Sequence, residues 1–515
     1  MAEALGVALA VPGIVELCIK YGQSLVRKYQ NYQNYETELG DLIVKFEAHW
    51  TNLRLQIEFF AKVQDRVEER HRLHFEKLVS VLSNKLKQIG LKIEGIAVHV
   101  KRVFRRAKFA LMVQKSLQEA ISELVEWQDL IQPLIFHLTK TEDPVVEQRI
   151  NDAPAEENVA ISTVQNMMRA FSSAKPPTKE SVVYHADNNF WNPELRKVVR
   201  YSAVQIHRVP GTYNGRQLLI DSIPCSGRDP TARRTIKDIR ELVQVLRLVD
   251  PMTFGIPVCA GIVNVKDGKG TLSKIEMVFK VPENLTNPRS LRDILVSPDH
   301  RNDPINVRIQ LAKRLARTVS FVHSSNFVHK NFRPETIVIF ESRGQPNDQT
   351  FINEVGFPFL VGFQKFRSAA ATHTTMMGDS AWERNLYRHP ERQGEFPDEV
   401  YKMQHDIYSL GVCLLEIALW KSFVLYDDYG TPRRPEDFQS LDKRPGREVK
   451  EMLVNMAREL VPKTLGNRYA DVTISCLKCL DDDDGNDFDL MDEEGISVGV
   501  GYIERILGKL EEITV

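Results

Sequence analysis

Two cysteines at close spacing could share a metal ion. Cys476 and Cys479 form a C-x-x-C pair, the spacing at which two thiolates can bind one zinc ion. A tetrahedral zinc site needs four ligands, and no second pair of Cys or His residues lies near enough in the sequence to complete it. We therefore predict two ordinary helical cysteines.

An acidic run near the C-terminal end could bind calcium. The segment from Asp481 to Glu494 contains nine acidic residues and neither Lys nor Arg. When Gly485 is taken as the central glycine of a calcium loop, Leu480 and Met491 stand where the first and last carboxylate ligands are required. We predict a solvated acidic loop, and no metal site in the chain.

A third stretch has the residue types of a catalytic loop. His329 begins the run H-K-N-F-R-P-E-T-I-V, which follows a stretch of helical periodicity ending at F-V-H. Before this run lies Glu241, in I-R-E-L-V. After it come, in order, Glu391 in a Pro-Glu pair, Asp406 in H-D-I-Y-S-L-G, and Arg468. This order resembles that of the protein kinase family over about residues 186–515.

The resemblance implies a structural role for each of these positions. Glu241 matches the acid on the regulatory helix of the small lobe, and His329 opens the catalytic loop. Glu391 matches the end of the activation segment, and Arg468 matches its ionic partner. Asp406 matches the buried acid that supports the catalytic loop.

The positions that would carry phosphoryl transfer are all substituted. The reaction needs a Lys to hold phosphates, an Asp to accept the hydroxyl proton, and an Asn and an Asp to bind magnesium. The matching positions here are Asp221, Asn331, Thr336 and Gly362. A carboxylate at 221 would repel triphosphate, and the neutral amide of Asn331 cannot accept the proton.

Glycine is also missing where a phosphate-binding loop needs it. No glycine lies between Gly95 and Gly211, so no backbone N–H there can approach phosphates in the way that glycine permits. We predict no ATP cofactor and a pseudokinase, a domain that keeps the kinase fold without its catalysis. A protein kinase with an atypical ATP site is the less favoured alternative.

The elements around these residues indicate a multidomain chain. Apolar residues three and four apart, from Leu42 to Val67 and again from Phe75 to Ile89, predict helices with a polar interruption over Asp65–Arg72. With the opening apolar segment and a helical stretch up to Leu138, they predict an all-α bundle of four or five helices over residues 1–139.

A linker and a second domain follow the bundle. Residues 140–185 have the Pro-rich and charged composition of a linker or brace, with a helical island near Val164–Phe171. Alternating runs at 204–206 and 218–220 around Y-N-G predict a hairpin, and helical periodicity dominates later. We predict an α+β, two-lobed protein kinase-like domain over 186–515, with a small lobe at about 186–285 and a large lobe at about 286–515.

The charges are balanced overall but not locally. The chain has 68 Lys and Arg against 69 Asp and Glu, which excludes a chain-wide attraction to nucleic acid, and six scattered cysteines favour a reducing compartment. The segment from Lys85 to Lys108 contains eight basic residues and one acidic residue, Glu94, which gives a local net charge of +7. An anionic leaflet could attract them at about 1 kcal/mol each, unless they only form a solvated helix face. The lipid-facing candidates are Lys101, Arg102, Arg105, Arg106 and Lys108.

The first residues form a small, apolar and almost uncharged segment. The run A-L-G-V-A-L-A-V-P-G-I-V, with Cys18 and Trp50 downstream, resembles the HeLo domain of fungal heterokaryon incompatibility and prion-inhibition proteins. In that family the N-terminal segment is thought to leave the bundle and enter the membrane. The resemblance makes Leu5, Val7, Leu9, Val11 and Ile14 membrane-insertion candidates, although they could equally be bundle core. Pro12 and Gly13 are expected to bend or break the segment.

The order of bundle, brace and pseudokinase is similar to the mixed lineage kinase domain-like proteins of animal necroptosis. This favours a signal-controlled programmed cell-death effector whose kinase-like domain restrains a membrane-permeabilising bundle. It implies a cytoplasmic resting state, an upstream signalling protein or receptor, and binding to anionic lipids of the cell membrane as a homo-oligomer. The alternative is a non-enzymatic signalling scaffold that meets no membrane. Neither reading involves nucleic acid.

Overall fold

Long α-helices make up the N-terminal part of the chain, and antiparallel sheets with further helices make up the rest. The chain divides into two compact units, Met1–Met168 and Arg169–Val515. The computed structural model describes residues 2–32, 37–103, 106–138, 143–153, 161–165, 182–202, 204–211, 216–227, 232–298, 303–325, 327–343, 356–363, 367–368, 379–394, 397, 401–436, 438, 445–481 and 496–513. Of these, residues 2–12, 37–38, 96–103, 106–110, 367–368, 496–497 and 500 are described by their backbone alone.

Four long helices form the first unit, as the apolar periodicity predicts. The second helix ends in a short 3₁₀ turn, Gln64–Arg66, inside the polar stretch where an interruption was expected. A bend or a break was expected at Pro12 and Gly13; the first helix runs through both as one segment, so there is no break. The helices are α1 Ala2–Gln30, α2 Thr37–Val63, α3 Glu69–Val103, α4 Arg106–His137 and the shorter α5 Pro144–Asn151.

Helices α1 and α2 run antiparallel and fit closely. The rings of Tyr29 and Phe46 pack with centroids 5.0 Å apart near the turn between the helices. Further along, Gly22 faces the ring of Trp50, and a Cβ atom built on Gly22 would lie 2.1 Å from that ring. Glycine is therefore required at position 22, because any side chain would overlap a buried indole.

Helix α3 runs antiparallel to α2 and hence parallel to α1. At the far end of α2, Phe60 stacks on Phe75 of α3 with ring centroids 4.2 Å apart. At the near end, Lys28 of α1 donates to the Gly90 carbonyl (3.4 Å) and pairs with Glu94 (2.8 Å). The first residues of α1 therefore lie at the end of the bundle where α3 begins, and the α3–α4 turn lies at the opposite end.

Helix α5 lies in the segment that was predicted to be a linker. Asp143 caps it by accepting from the backbone N–H of Val145 at 2.7 Å. Arg149 bonds to the Lys62 carbonyl at the end of α2 and reaches Asp65 at 3.3 Å. At least this part of the 140–185 segment is thus helical and packed on the bundle, because its charges find partners there.

An antiparallel sheet opens the second unit, with strand order β1-β2-β3-β5-β4. The predicted hairpin is present, since Ile206 of β2 pairs with Leu219 of β3. An amphipathic helix, α6, follows β3 and buries one face that includes Leu242 and Val243. The elements are β1 Arg196–Val198, β2 Val204–Arg208, β3 Gln217–Pro224, α6 Ala232–Leu246, α7 Pro251–Phe254, β4 Val258–Lys266 and β5 Leu272–Lys280.

Helices dominate the rest of the second unit, around a second small sheet of order β6-β8-β9. The periodic residues 307–322 lie in α9 and face the core as expected. Helix α11 is buried along almost its whole length. The elements are β6 Leu285–Ser290, α8 Leu291–Val296, α9 Ile305–Ser324, β7 Phe327–Val328, β8 Ile337–Ser342, β9 Phe357–Leu360, β10 Arg367–Ser368, α10 Trp382–Asn385, α11 Met403–Leu419, β11 Leu425–Tyr426, β12 Pro432–Arg433, α12 Gly446–Glu459, α13 Val461–Thr464, α14 Gly466–Leu477, α15 Ile496–Tyr502, a π-helical turn Ile503–Leu507 and α16 Gly508–Glu511.

Candidate functional site

Strand β3 carries a buried carboxylate that bonds to another segment. Asp221 is fully buried, and its Oδ2 accepts from the backbone N–H groups of Gly362 (2.9 Å) and Phe363 (2.8 Å). Bonds from two N–H groups to one carboxylate are charge-assisted and stronger than neutral ones. The residue expected to repel phosphate therefore holds the segment just after β9 in place.

Three of the substituted positions fit against one another. Gly362 has φ +83°, and a Cβ atom there would lie 2.4 Å from the Thr336 methyl group. The Asn331 amide donates to the Gly362 carbonyl at 3.2 Å, and the Thr336 hydroxyl donates to the Asn331 carbonyl at 2.9 Å. An aspartate does not fit at position 362 beside Thr336, because the two side chains would overlap.

The turn between β1 and β2 is tied to the helical part of the same unit. Ser202 donates from its hydroxyl to the Glu335 carbonyl at 2.7 Å, and the Tyr201 ring stacks on that of Tyr426 with centroids 4.5 Å apart. The Arg200 carbonyl accepts from Ser290 Oγ at 2.6 Å. We call this turn, residues 199–202, the clamped turn. Its bonds hold it against the loop that contains Asn331 and Thr336.

Asp406 supports the loop that follows β7. Its carboxylate accepts from the backbone N–H groups of His329 (2.7 Å) and Lys330 (2.9 Å) and from the Tyr401 hydroxyl (2.6 Å). Burial alone would raise the pKa of Asp406, but the bond from His323 and the other donors hold that pKa below its usual value. The group stays ionised and fixes Lys330 in a positive-φ conformation (62°).

His329 is a buried neutral imidazole. Burial lowers the pKa of its ring to about 4, and Nε2 lies 3.0 Å from the Val361 carbonyl. A carbonyl only accepts, so Nε2 carries the proton. His329 thus bridges the loop to the segment that Asp221 also holds.

Two of the expected structural positions have other partners than expected. Arg468 is 65% exposed and pairs with Glu512 at 3.3 Å, so the predicted Arg468–Glu391 ion pair is wrong. Glu391 lies 3.4 Å from the His389 ring instead. Glu241 sits on α6 and pairs with Lys237 one turn earlier at 3.6 Å.

A buried arginine that the sequence reading missed holds the centre of the unit. Arg292 of α8 has no exposed surface and bonds to Glu335 (3.0 Å), Glu416 (2.7 Å), the Ser422 hydroxyl and the Tyr387 hydroxyl. The signal was the pair of adjacent charges flanked by apolar residues in L-R-D-I-L, which indicates buried ions with partners. Glu335 and Glu416 lie far from Arg292 in the sequence, so their pairing with it carried no local signal.

His389, Glu391 and His405 bring three possible metal-ligand atoms within 4.8 Å of one another. His405 Nδ1 accepts from the Lys402 backbone N–H at 2.7 Å, and His389 Nε2 faces the Lys450 ammonium at 3.3 Å. The outer nitrogens are therefore acceptors, so the ring protons point inward, where a cation would need lone pairs. This group does not fit a metal ion; it fits a carboxylate, and Glu391 is that carboxylate.

The C-x-x-C thiols are also unsuited to metal. Cys476 lies in α14 and Cys479 just after it, and both are buried. Burial raises the pKa of Cys479 to about 12 and holds that of Cys476 well above its ordinary value, so both thiols stay protonated. Residues 482–494 of the acidic run lie outside the described residues, and Asp481 pairs with Lys450.

The two sets of membrane candidates lie at opposite ends of the bundle. Leu5, Val7, Leu9 and Val11 belong to α1, described there by backbone alone, and Ile14 is partly buried. Lys101 and Arg102 end α3 and Arg106 and Lys108 begin α4, again as backbone, while Arg105 is outside the described residues. Lys28 of α1 lies level with Gly90 and Glu94 of α3, so at about 1.5 Å per residue the start of α1 is roughly 55 Å from the α3–α4 turn along the bundle axis.

Part of the basic block is neutralised within the bundle. Lys85 pairs with Glu123 at 2.9 Å, and Lys92 pairs with Glu119. Of the basic residues with described side chains, these two therefore offer less charge to an anionic surface than the sequence count suggests. Among the helices that are described, none is long and apolar enough to cross a bilayer.

No known protein-family model matches this chain.

Proposed function

We propose that the second unit is a catalytically inactive protein kinase-like domain that controls the first unit. The five-stranded antiparallel sheet, with a helix after its third strand, matches the small lobe of that plan, and the mainly helical remainder matches the large lobe. The bonds from Asp406 to the backbone of His329 and Lys330 are of the kind the resemblance implies. These features support the fold half of the proposal.

The contacts of the clamped turn are the main support for the proposed lack of catalysis. In an active kinase the turn between the first two strands covers the phosphates of ATP. Here that turn is bonded to Glu335 and Ser290 and stacked on Tyr426. The Asp221 carboxylate stands where a phosphate-binding lysine would be, and it is engaged by backbone N–H groups. A nucleotide would have to break these bonds and then face a negative charge.

Nucleotide binding tests this half directly. The melting temperature of the full chain is measured with ATP, with ADP and with neither, each with and without magnesium. We expect no rise at millimolar nucleotide, because a ligand that binds only the folded state must raise it. A magnesium-dependent rise would contradict the proposal, and phosphate transfer to a generic substrate would overturn it.

We propose that the first unit is the effector and that it acts on anionic membranes. The apolar start of α1 and the basic α3–α4 turn support this, because lipid surfaces bind apolar segments and cations. Their roughly 55 Å separation along the bundle means that a membrane surface perpendicular to the bundle axis meets only one of the two ends of a folded bundle at a time. The proposed action therefore has two steps, contact through the basic turn and then release of α1.

Controlled cleavage of the full chain tests this half. A specific protease site is inserted between residues 169 and 181, and dye-filled vesicles with and without anionic lipid receive the protein before and after cleavage. We expect leakage only after cleavage and only with anionic lipid. Charge reversal at Arg102, Arg105 and Arg106 should remove vesicle binding, while Leu5→Glu should leave binding and remove leakage. Leakage that is unchanged in both variants would overturn the effector role.

The second candidate function is a non-enzymatic scaffold. The pairing of Lys85 and Lys92 with glutamates favours it, since those cations are already satisfied within the bundle. Flotation of the cleaved chain with anionic vesicles at low and high salt separates the two functions. Binding that falls with salt supports the effector, and no binding at low salt supports the scaffold.

A further inference from the structure

The segment just before β1 covers one face of the five-stranded sheet. Phe190 lies in one buried apolar cluster with Leu218 and Ile220 of β3. Its ring also packs against that of Tyr184, with centroids 5.5 Å apart. We call residues 182–192 the strap. The strap joins the part of the chain that precedes the second unit's sheet to the sheet itself.

The backbone of the strap meets the edge of the sheet at one point. Val183 forms a single parallel bridge with Ile262 of β4, and the Tyr184 N–H donates to the Ile262 carbonyl at 2.9 Å. Gly261 permits this approach: its φ is +147°, and a Cβ atom there would lie 2.7 Å from the Val182 carbonyl oxygen. Strand β4 pairs with β5 on its other side, so the strap can leave this edge without opening the sheet.

The strap is held less firmly than the sheet that it covers. Val182 and Phe190 are its buried side chains, and its other residues are half-buried or exposed. Segments with few buried apolar side chains open at a lower free energy than a packed core. The strap can therefore open while strands β2 to β5 stay paired.

Arg196, the first residue of β1, holds the strap on the sheet. Its guanidinium carbon lies 4.5 Å from the centroid of the Phe190 ring, and Nε and Nη2 donate to the Phe190 carbonyl at 3.0 and 2.9 Å. Nη1 donates to both carboxylate oxygens of Glu276 on β5, at 3.0 and 3.2 Å. Burial alone would raise the pKa of Glu276, but Arg196 and Lys274 hold that pKa below its usual value. One side chain thus connects the strap, β1 and β5.

Strand β1 connects Arg196 to the clamped turn. The strand has three residues, and Val199, the first residue of the clamped turn, follows it directly. At about 3.3 Å per residue, the turn begins about 10 Å from Arg196. At its far end the turn is held by the bond from the Ser202 hydroxyl to the Glu335 carbonyl at 2.7 Å. The contacts of the strap and those of the clamped turn therefore hold the two ends of one short strand.

We propose that the strap is a releasable latch and that β1 couples its release to opening of the clamped turn. When the contacts of Tyr201 and Ser202 are lost, β1 can shift, and its shift moves Arg196 away from the Phe190 carbonyl. Coupling of this kind is reciprocal, so an open strap loosens the clamped turn to the same extent. Release adds the eleven residues of the strap to the connection that precedes it. This rests on the proposed function in one respect, that the second unit controls the first.

Amide hydrogen exchange of the full chain, read by mass spectrometry, tests the coupling. In Ser202→Ala we expect about fivefold faster exchange in the peptide that spans the strap, because loss of one hydrogen bond shifts the opening equilibrium by about that factor. Ser273→Ala is the matched control. It removes an exposed hydroxyl bond to the Val265 carbonyl of β4, the strand that the strap bridges, and should leave exchange of the strap unchanged. Unchanged exchange in Ser202→Ala, or equal acceleration in Ser273→Ala, would overturn the proposal.

A variant at the other end of β1 tests the reverse direction. Arg196→Lys keeps a cation for Glu276 but loses the paired donation to the Phe190 carbonyl. We expect faster exchange in the strap and also in the clamped turn, where the Ser202 N–H donates to the Val199 carbonyl at 3.0 Å.

Two controls show whether the effect of Arg196→Lys is local. Exchange in α11 should stay slow, and Lys197→Gln, at the exposed next position of β1, should change neither segment. A faster strap with an unchanged turn would overturn the coupling. Equal acceleration in α11 would mean that Arg196 only stabilises the fold, which would overturn the role of the strap as a latch.

The exchange experiment and the vesicle experiment fail independently of each other. Coupled exchange in a protein that releases no dye after cleavage keeps the latch and removes the effector role. Leakage after cleavage without coupled exchange keeps the effector role and removes the latch.

Discussion

The two units bury polar groups of different kinds. Among the described residues of the first unit the buried polar side chains are amides, hydroxyls and imidazoles, such as those of Gln56 and His71, and the ion pair of Lys85 with Glu123 lies near the surface. In the second unit Arg292 has no exposed surface and is surrounded by carboxylates. A bundle held by apolar faces can exchange one helix for another environment at modest cost, whereas a buried charge network cannot be opened in part.

The two units also differ in the residues at the positions where catalytic or membrane-active side chains were expected. In the second unit the residues at the expected catalytic positions make hydrogen bonds that hold the fold, and Asp221 and Thr336 are the clearest cases. In the first unit the described candidate residues lie toward the two ends of the bundle. The second unit uses the positions expected to be reactive for hydrogen bonds within its fold, and the first unit carries its candidate positions near the ends of its helices.

Removal of the buried arginine should break the second unit alone. Arg292→Leu leaves Glu335 and Glu416 buried without their cation, and we expect a loss of about 3–5 kcal/mol of unfolding free energy. Amide hydrogen exchange on the full chain, read by mass spectrometry, should show lost protection in α8, α9 and α11 and unchanged protection in α1–α4.

A matched surface variant controls for the loss of a guanidinium. Arg458→Leu on the exposed side of α12 should change stability by no more than about 0.5 kcal/mol. Equal loss of protection in both units of Arg292→Leu would mean that the units unfold together, and the comparison between them would fail.

Acid should weaken the second unit more than the first. Burial lowers the pKa of His329 to about 4 and of His389 to about 3 in the second unit, and of His71 to about 3 in the first. The unfolded rings titrate near 6.5, so the unfolded state binds more protons below that pH, and stability falls as pH drops from 6.5 toward the folded values.

The size of the acid effect follows from the number of such rings. Each ring costs about 2 kcal/mol between pH 6.5 and 5, which gives about 4 kcal/mol for the second unit against about 2 for the first. His405 adds to the loss, while Glu416 opposes it because burial raises its pKa. Hydrogen exchange corrected for its own pH dependence measures both units; equal loss in the two would contradict the prediction.

Local sequence patterns predicted the helices better than they predicted the ion-pair and hydrogen-bond partners of the side chains. The spacing of Val307, Leu311 and Leu315 gave α9 because one helix face must be buried, whatever it faces. Arg468 was paired with the wrong acid, since an ion pair depends on where two distant helices bring their side chains. The bond from Ser202 to Glu335 spans 133 residues and has no local signal at all.

Two glycines of α1 test how the packing of this helix affects the stability of the first unit. Gly22→Ala and Gly13→Ala gain the same helix propensity, about 0.5–1 kcal/mol. A Cβ at Gly22 meets the buried Trp50 ring at 2.1 Å, and one at Gly13 meets nothing within 4 Å. We expect Gly13→Ala to stabilise α1 and Gly22→Ala to destabilise it by about 1–3 kcal/mol through overpacking.

Leakage should follow the two glycine variants if α1 must leave the bundle. Gly22→Ala should speed vesicle leakage of the cleaved chain, and Gly13→Ala should slow it. If both variants leaked faster, or neither did, the rate of leakage would not depend on the stability of α1 in the bundle.

The smallest expected effect concerns the clamped turn. Ser202→Ala removes the hydroxyl that donates to the Glu335 carbonyl and should cost about 1 kcal/mol of the second unit's stability. Ser273→Ala, which removes an exposed hydroxyl bond within the sheet, should cost less because water replaces it. Neither variant should bind ATP with magnesium, since Asp221 keeps its charge and Gly362 offers no metal ligand. If Ser202→Ala gained a magnesium-dependent rise in melting temperature with ATP, the turn alone would be blocking the site, and the second unit would be a closed kinase rather than an inactive one.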